Sequence, residues 1–204
     1  GGQPPDMLWW RGGHAGSRIR VAFSPDGQLF ASGGLDATVK LWRTADGQLL
    51  RTATGHTEEV IAIAFSGDGS TLASASYDNT VRLWRVPEAT LIRALTNEHG
   101  NLLSMALSSD GRWVACGTGT AASVPPKGCT VQLWDVTAGR LVQVLPNGTI
   151  GVNGVAFSPN SQRLAAALGM RLLVQWQVAS AAREWTIQGD YAVDKCLAYA
   201  PDGQ

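Results

Sequence analysis

Cysteine is scarce in this chain of 204 residues: there are three, an odd number, at Cys116, Cys129 and Cys196, with none of the spacings that hold a metal. Neither a disulfide framework nor a cysteine-bound zinc is indicated, and a reducing compartment, the cytoplasm, is expected. An excess of charge is lacking too. Sixteen basic and 16 acidic residues cancel, so nothing favours nucleic acid as a partner. No apolar run approaches the roughly 18 residues of a spanning helix, which excludes such a helix, and no signal peptide is visible. Because the chain opens on Gly1, its true N-terminus is expected to lie upstream. What is abundant is glycine, with 24 residues, and tryptophan, with eight, in a composition that is 45% apolar. That balance suits a compact, soluble all-β module.

The tryptophans recur with a period. Trp42, Trp84, Trp134 and Trp176 are separated by 42, 50 and 42 residues, and Phe23, Phe65, Leu107, Phe157 and Tyr199 by 42, 42, 50 and 42. One eight-residue insertion in the third copy accounts for the departure, and a period of this length indicates a repeat architecture. A turn phrase follows the aromatic or leucine position of every copy: "SPDGQ", "SGDGS", "SSDGR", "SPNSQ" and "APDGQ". Within one period, "VIAIAF" reads as a strand buried on both faces, followed by "TLASAS", "NTVRLWR" and "TLIRALT". Glycine and proline fall between these runs, and four strands leave no room for a helix of about 10 to 12 residues. Each period therefore reads as one four-stranded antiparallel meander.

The order Gly-His, apolar strand, Ser-Pro-Asp-Gly turn, Leu-Ala-Ser, Asp-x-Thr-Val-x-Leu-Trp resembles the WD-repeat (WD40) family over nearly the whole chain, from about Asp6 to Gln204. The Trp-Asp dipeptide of that family survives only at Trp134-Asp135. The resemblance implies a β-propeller, with complete blades at about 18–53, 60–95, 102–145 and 152–187. It also implies the outer strand of a preceding blade at 6–11 and the inner strand of a following one at 193–199. A seven-bladed ring needs roughly 290 residues, so the chain is expected to be a fragment, packed against the remaining blades of the same propeller, with a larger bacterial WD-repeat protein as one reading of its source.

The resemblance further implies a buried hydrogen-bond chain within each blade. His14, Ser32, Asp36 and Trp42 occupy its positions in the first, and His56, Ser74, Asp78 and Trp84 in the second. A buried carboxylate is tolerable only when hydrogen-bonded, and the indole donor and the two imidazole nitrogens supply suitable partners. The third copy keeps His99 and Trp134 but has Cys116 and Gly128 at the Ser and Asp positions. The fourth keeps only Trp176, beside Gly148, Ala166 and Met170, and its cohesion is expected to come from apolar packing.

Repetition argues against catalysis. The three histidines hold equivalent positions in successive units, which suits a structural network and not a metal site. Asp26, Asp68, Asp110 and Asp202 sit in turn phrases, where an aspartate supports the turn, and Ser24, Ser66, Ser108 and Ser158 recur with them. Cys116 and Cys129 have no histidine specified as a catalytic partner, and "GTGTA" at 117–121 lacks the lysine of a phosphate loop. Non-repeating polar residues near the inner strands are few: Arg20, Asn153 and Lys195. The expected function is a non-catalytic scaffolding propeller that binds a protein or peptide and needs no cofactor. Two alternatives remain: a regulatory or sensor propeller joined to a kinase or nucleotidase domain outside this sequence, and a propeller enzyme with a site in its channel. By resemblance, partner contacts fall at Ser17, Ile19, Leu35, Glu59, Ile61, Tyr77, Asn101, Leu103, Lys127 and Asn153, and the inserted stretch 117–128 is a further contact candidate. Pro125 and Pro126 are expected to stiffen it.

Overall fold

The computed structural model describes residues 13–16, 18–98, 100–119, 129–146, 151–169, 171–189 and 197–203. All regular structure among them is β-strand. Sixteen strands form four antiparallel sheets, each a meander in chain order. The first sheet comprises β1 (Ile19–Phe23), β2 (Leu29–Gly34), β3 (Val39–Arg43) and β4 (Leu49–Ala53). The second comprises β5 (Val60–Phe65), β6 (Thr71–Ser76), β7 (Thr80–Arg85) and β8 (Thr90–Thr96). The third is built from β9 (Asn101–Leu107), β10 (Trp113–Gly119), β11 (Thr130–Asp135) and β12 (Arg140–Pro146), and the fourth from β13 (Val152–Phe157), β14 (Arg163–Leu168), β15 (Leu172–Gln177) and β16 (Arg183–Gln188). These are the blades of a β-propeller. No helix among the described residues is long and apolar enough to cross a membrane.

The turn phrases close the first hairpin of each sheet by one repeated chemistry. Ser24 Oγ donates to Asp26 Oδ1 at 2.6 Å, the Gln28 amide donates to the same carboxylate at 3.0 Å, and the Leu29 amide donates back to Ser24 Oγ at 2.9 Å. Gly27 takes a φ of 68°, which a side chain resists. Ser66 with Asp68, Ser108 with Asp110 and Ser158 with Asn160 repeat the serine contact. The serine hydroxyl, followed by the turn amide, holds the Asp26 and Asp68 carboxyls below the usual carboxylate range. Their role is to brace the turns.

Packing between sheets uses their opposite faces. Trp84 clusters with Ala31, Val39 and Leu41 of the first sheet, Trp134 with Ala73, Ala75, Val81 and Leu83 of the second, and Trp176 with Ala115, Val131 and Leu133 of the third. Each tryptophan thus faces the preceding sheet and meets its Ala, Val and Leu positions. The innermost strands follow the same order, with β5 against β1 and β2, β9 against β5 and β6, and β13 against β9 and β10. At the turn end, the Gly67 amide donates to Ser109 O at 2.8 Å and the Asp110 amide to Ser161 Oγ at 3.2 Å, joining adjacent sheets.

Two irregularities recur. Each outer strand slips by one residue opposite its neighbour's tryptophan, at Leu41/Trp42, Leu83/Trp84, Leu133/Trp134 and Gln175/Trp176. The inner strands of the second, third and fourth sheets also slip, between Val60 and Ala62, opposite Gly117/Thr118, and between Val152 and Gly154. These slips leave Ile61, Leu103 and Asn153 without ladder partners, whereas β1 pairs continuously. A bulge re-aims its side chain, so three equivalent residues are turned at one end of the sheets.

Candidate functional site

The hydrogen-bond chain of the first two sheets ties three chain segments together. His56 Nδ1 lies 2.9 Å from Asp78 Oδ2 and its Nε2 lies 2.8 Å from Ser74 Oγ, which accepts the Trp84 indole N–H at 2.8 Å. Asp78 also accepts from the Thr57 amide at 3.0 Å and from the Thr80 hydroxyl at 2.7 Å. The first sheet repeats the arrangement: His14 Nδ1 to Asp36 Oδ1 at 2.7 Å, Nε2 to Ser32 Oγ at 2.8 Å, and Trp42 to Ser32 Oγ at 2.7 Å. The backbone allows this because Ala37 and Asn79, each just after its aspartate, take φ near 60° and turn the chain back. Burial alone would raise the Asp78 carboxyl. The Thr80, His56 and Thr57 donors outweigh it and hold the group below the usual range. Burial drives the His56 imidazole below its ordinary 6.5, against the attraction of Asp78.

The third and fourth sheets build different networks that position-by-position reading did not find. Trp134 donates its indole N–H to Gln132 Oε1 at 3.2 Å, and Gln132 Nε2 donates to Asn97 Oδ1 at 2.9 Å. Gln132 is wholly buried at the position of Lys40 and Arg82, so an uncharged amide where the first two copies carry a cation was the available signal. His99, Gly128, Gly148 and Met170 lie outside the described residues. Cys116 sits in the serine position, fully buried, with its thiol pushed up to about 12 by desolvation, so it is no nucleophile. Apolar packing joins the fourth sheet to the third, as expected, but its opposite face is polar. Gln175 Nε2 donates to Glu184 Oε2 at 2.6 Å, Arg163 Nε lies 3.1 Å from the same oxygen, and the Tyr199 hydroxyl donates to Gln175 Oε1 at 2.5 Å. Burial pushes the Tyr199 hydroxyl up to about 12.

The expected partner contacts divide by exposure. Ile19, Leu35, Tyr77 and Asn101 are exposed, and Leu103 and Asn153 are half-buried. Ser17 and Lys127 lie outside the described residues. Glu59 and Ile61 were expected to be exposed, and the structure corrects both. The Glu59 side chain is tucked in at 7% exposure, 3.7 Å from Arg18, while the neighbouring slip in β5 turns Ile61 inward against Leu102 and Met105.

The three bulged residues and Tyr77 converge on a cavity of about 350 Å³ at the mouth of the channel between the inner strands. Its next rung is Arg20, Ala62, Ser104 and Gly154, one residue from each sheet. Arg20 was singled out in the sequence as non-repeating but not assigned a contact. Its Nε donates to Ile61 O at 2.9 Å. No group of three His, Cys, Asp or Glu residues stands close enough to hold a metal among the described residues.

A comparison with curated proteins returns no match. The family model described as "WD domain, G-beta repeat" matches residues 10–43, 47–85 and 89–135, more than half of the chain. Those segments span β1 to β11 and carry the His–Ser–Trp–Asp chain of the first two sheets, and the fourth sheet repeats the same meander. On the repeats and the blades they build, the chain belongs to the WD40 family.

Proposed function

We propose that this propeller is a non-catalytic docking platform whose protein or peptide partner lies across the channel mouth, between the second and third blades. WD40 repeats generally mediate protein–protein interaction and scaffolding. The observation that carries the reading is the convergence of Tyr77, Leu103 and Asn153 on one cavity, from three different blades. Leu103 and Asn153 stand at bulges, where a side chain is re-aimed out of the ladder. Tyr77, 37% exposed in the turn between β6 and β7, offers a large ring with a polar tip at small entropic cost.

Tyr77→Ala is expected to weaken the partner by roughly 1 to 2 kcal/mol while leaving the melting temperature within a degree or two. The test is recovery of binding proteins from the source cell on immobilised parent chain, followed by calorimetric titration of each purified partner with parent, Tyr77→Ala and Leu103→Ser. Equal affinity of all three proteins for every partner would remove the docking face from this end of the sheets.

A further inference from the structure

We propose that the channel-mouth cavity is an anchor site for an acidic side chain, with Arg20 receiving the carboxylate of an Asp or Glu from the bound peptide. This rests on the docking reading above and specifies the chemistry of that site.

The inference starts from the rung that lines the cavity. Ala62, Ser104 and Gly154 are small, and Arg20 alone projects a long charged side chain among them. Its Nε is already engaged with Ile61 O at 2.9 Å, which fixes the plane of the guanidinium and leaves the two terminal nitrogens as an open fork. Neither terminal nitrogen has a hydrogen-bond or carboxylate partner among the described residues. Glu59 is paired with Arg18, Asp36 with His14 and Asp78 with His56. Two other polar lining groups are engaged, Ser104 Oγ donating to Val152 O and Asn153 Nδ2 donating to Gly169 O. Among the described residues no carboxylate lines the cavity, and Arg20 is the charged group there.

The remaining walls are Ile61, Ile63, Leu103, Met105 and Val155. Apolar walls lower the local dielectric and strengthen an end-on pairing of the guanidinium fork with a carboxylate. The Tyr77 hydroxyl, without a partner among the described residues, stands at the rim as a further donor. A single arginine suits a monoanion. A phosphorylated side chain, with nearly two charges, is held by clusters of arginines, and among the described residues one arginine faces this cavity.

The experiment is selection of phage-displayed random dodecapeptides, which carry no free C-terminal carboxylate, on the parent chain and on Arg20→Gln. Enriched peptides are then synthesised with amidated C-termini and titrated by fluorescence anisotropy, each with its acidic residue intact and replaced by the matching amide. The expected result is enrichment of Asp or Glu at one position on the parent only. In titration, the peptide's Glu→Gln change and Arg20→Gln each weaken binding about tenfold or more, and together weaken it no further. Arg20→Lys should restore part of the loss, and thermal melts of each variant separate misfolding from lost contact. Selected peptides that depend on Tyr77 but show no acidic preference would overturn the carboxylate anchor and leave the docking reading standing. Tighter binding of a phosphoserine or free-C-terminus version than of the Glu peptide would also overturn it. Failure to select any peptide would count against both.

Discussion

At the scale of single residues, stability is concentrated in side chains whose polar atoms have no water to fall back on. Removing the Asp78 carboxylate would take from the buried His56 Nδ1 its shortest partner, leaving the Thr80 hydroxyl at 3.2 Å, and would release the Thr57 and Thr80 amides, a loss of roughly 1 to 3 kcal/mol in all. Asp78→Ala should therefore shift the urea midpoint far more than Ser70→Ala, whose hydroxyl is exposed and bonds only within its own turn. Equal midpoints for the two variants would contradict the network. The same groups set an acid limb. His56 has a folded-state pKa below its ordinary 6.5, so the unfolded chain binds the proton first, and stability present above 6.5 is lost as pH falls below it. Asp78, also depressed, adds its loss below its ordinary 3.8, as pH falls through the still lower folded value. Urea midpoints measured from pH 8 to pH 4 should fall first below about 6.5, and the first step should be reduced in His56→Gln.

At the scale of the strand and sheet, the third blade shows how a repeat replaces a lost part. Where the serine has become Cys116, Gln132 accepts the Trp134 indole and donates to Asn97. Gln132→Leu keeps the volume but leaves the indole N–H and the Asn97 carbonyl without that amide. It should destabilise the chain by about 2 kcal/mol in a denaturant melt, whereas Arg140→Leu on the exposed outer strand should stay within about 0.5 kcal/mol. The repeat period, the meanders and the turn chemistry were legible in the residues because each depends on local sequence. "SPDGQ" closes a hairpin by contacts within five residues, and "VIAIAF" is apolar enough to declare an inner strand. Gln132 and Asn97, 35 positions apart, meet only after the third blade folds, so their partnership left no mark at fixed spacing. The inward turn of Ile61 was hidden for a different reason. Ladder slips are decided by packing between sheets, and the residues around Val60 read as an unbroken strand.

At the scale of the whole molecule, the two end sheets differ from the junctions between. Ile19, Val21 and Phe23 on β1 are 47%, 54% and 61% exposed, and Trp185 and Ile187 on β16 are also open. Apolar surface of this extent drives association. Sedimentation of the 204-residue chain should show concentration-dependent oligomers, with Val21→Ser/Phe23→Ser shifting the distribution toward monomer. A single monomeric boundary at all concentrations would contradict this. The polar contact between Tyr199 and Gln175 bears on a different hazard, that of near-identical sheets docking in the wrong order. Leu41, Leu83 and Leu133 are apolar and accept any apolar neighbour, so at this position the first three junctions do not distinguish one sheet from another. Gln175 stands at the equivalent place and requires a hydroxyl opposite, which Tyr199 alone supplies among Phe23, Phe65, Leu107 and Phe157. A wrong strand there leaves a buried amide without its partner, a penalty that acts only on misassembled chains. The pairing works as an address, matched by Tyr199 and by none of the four residues at the equivalent positions.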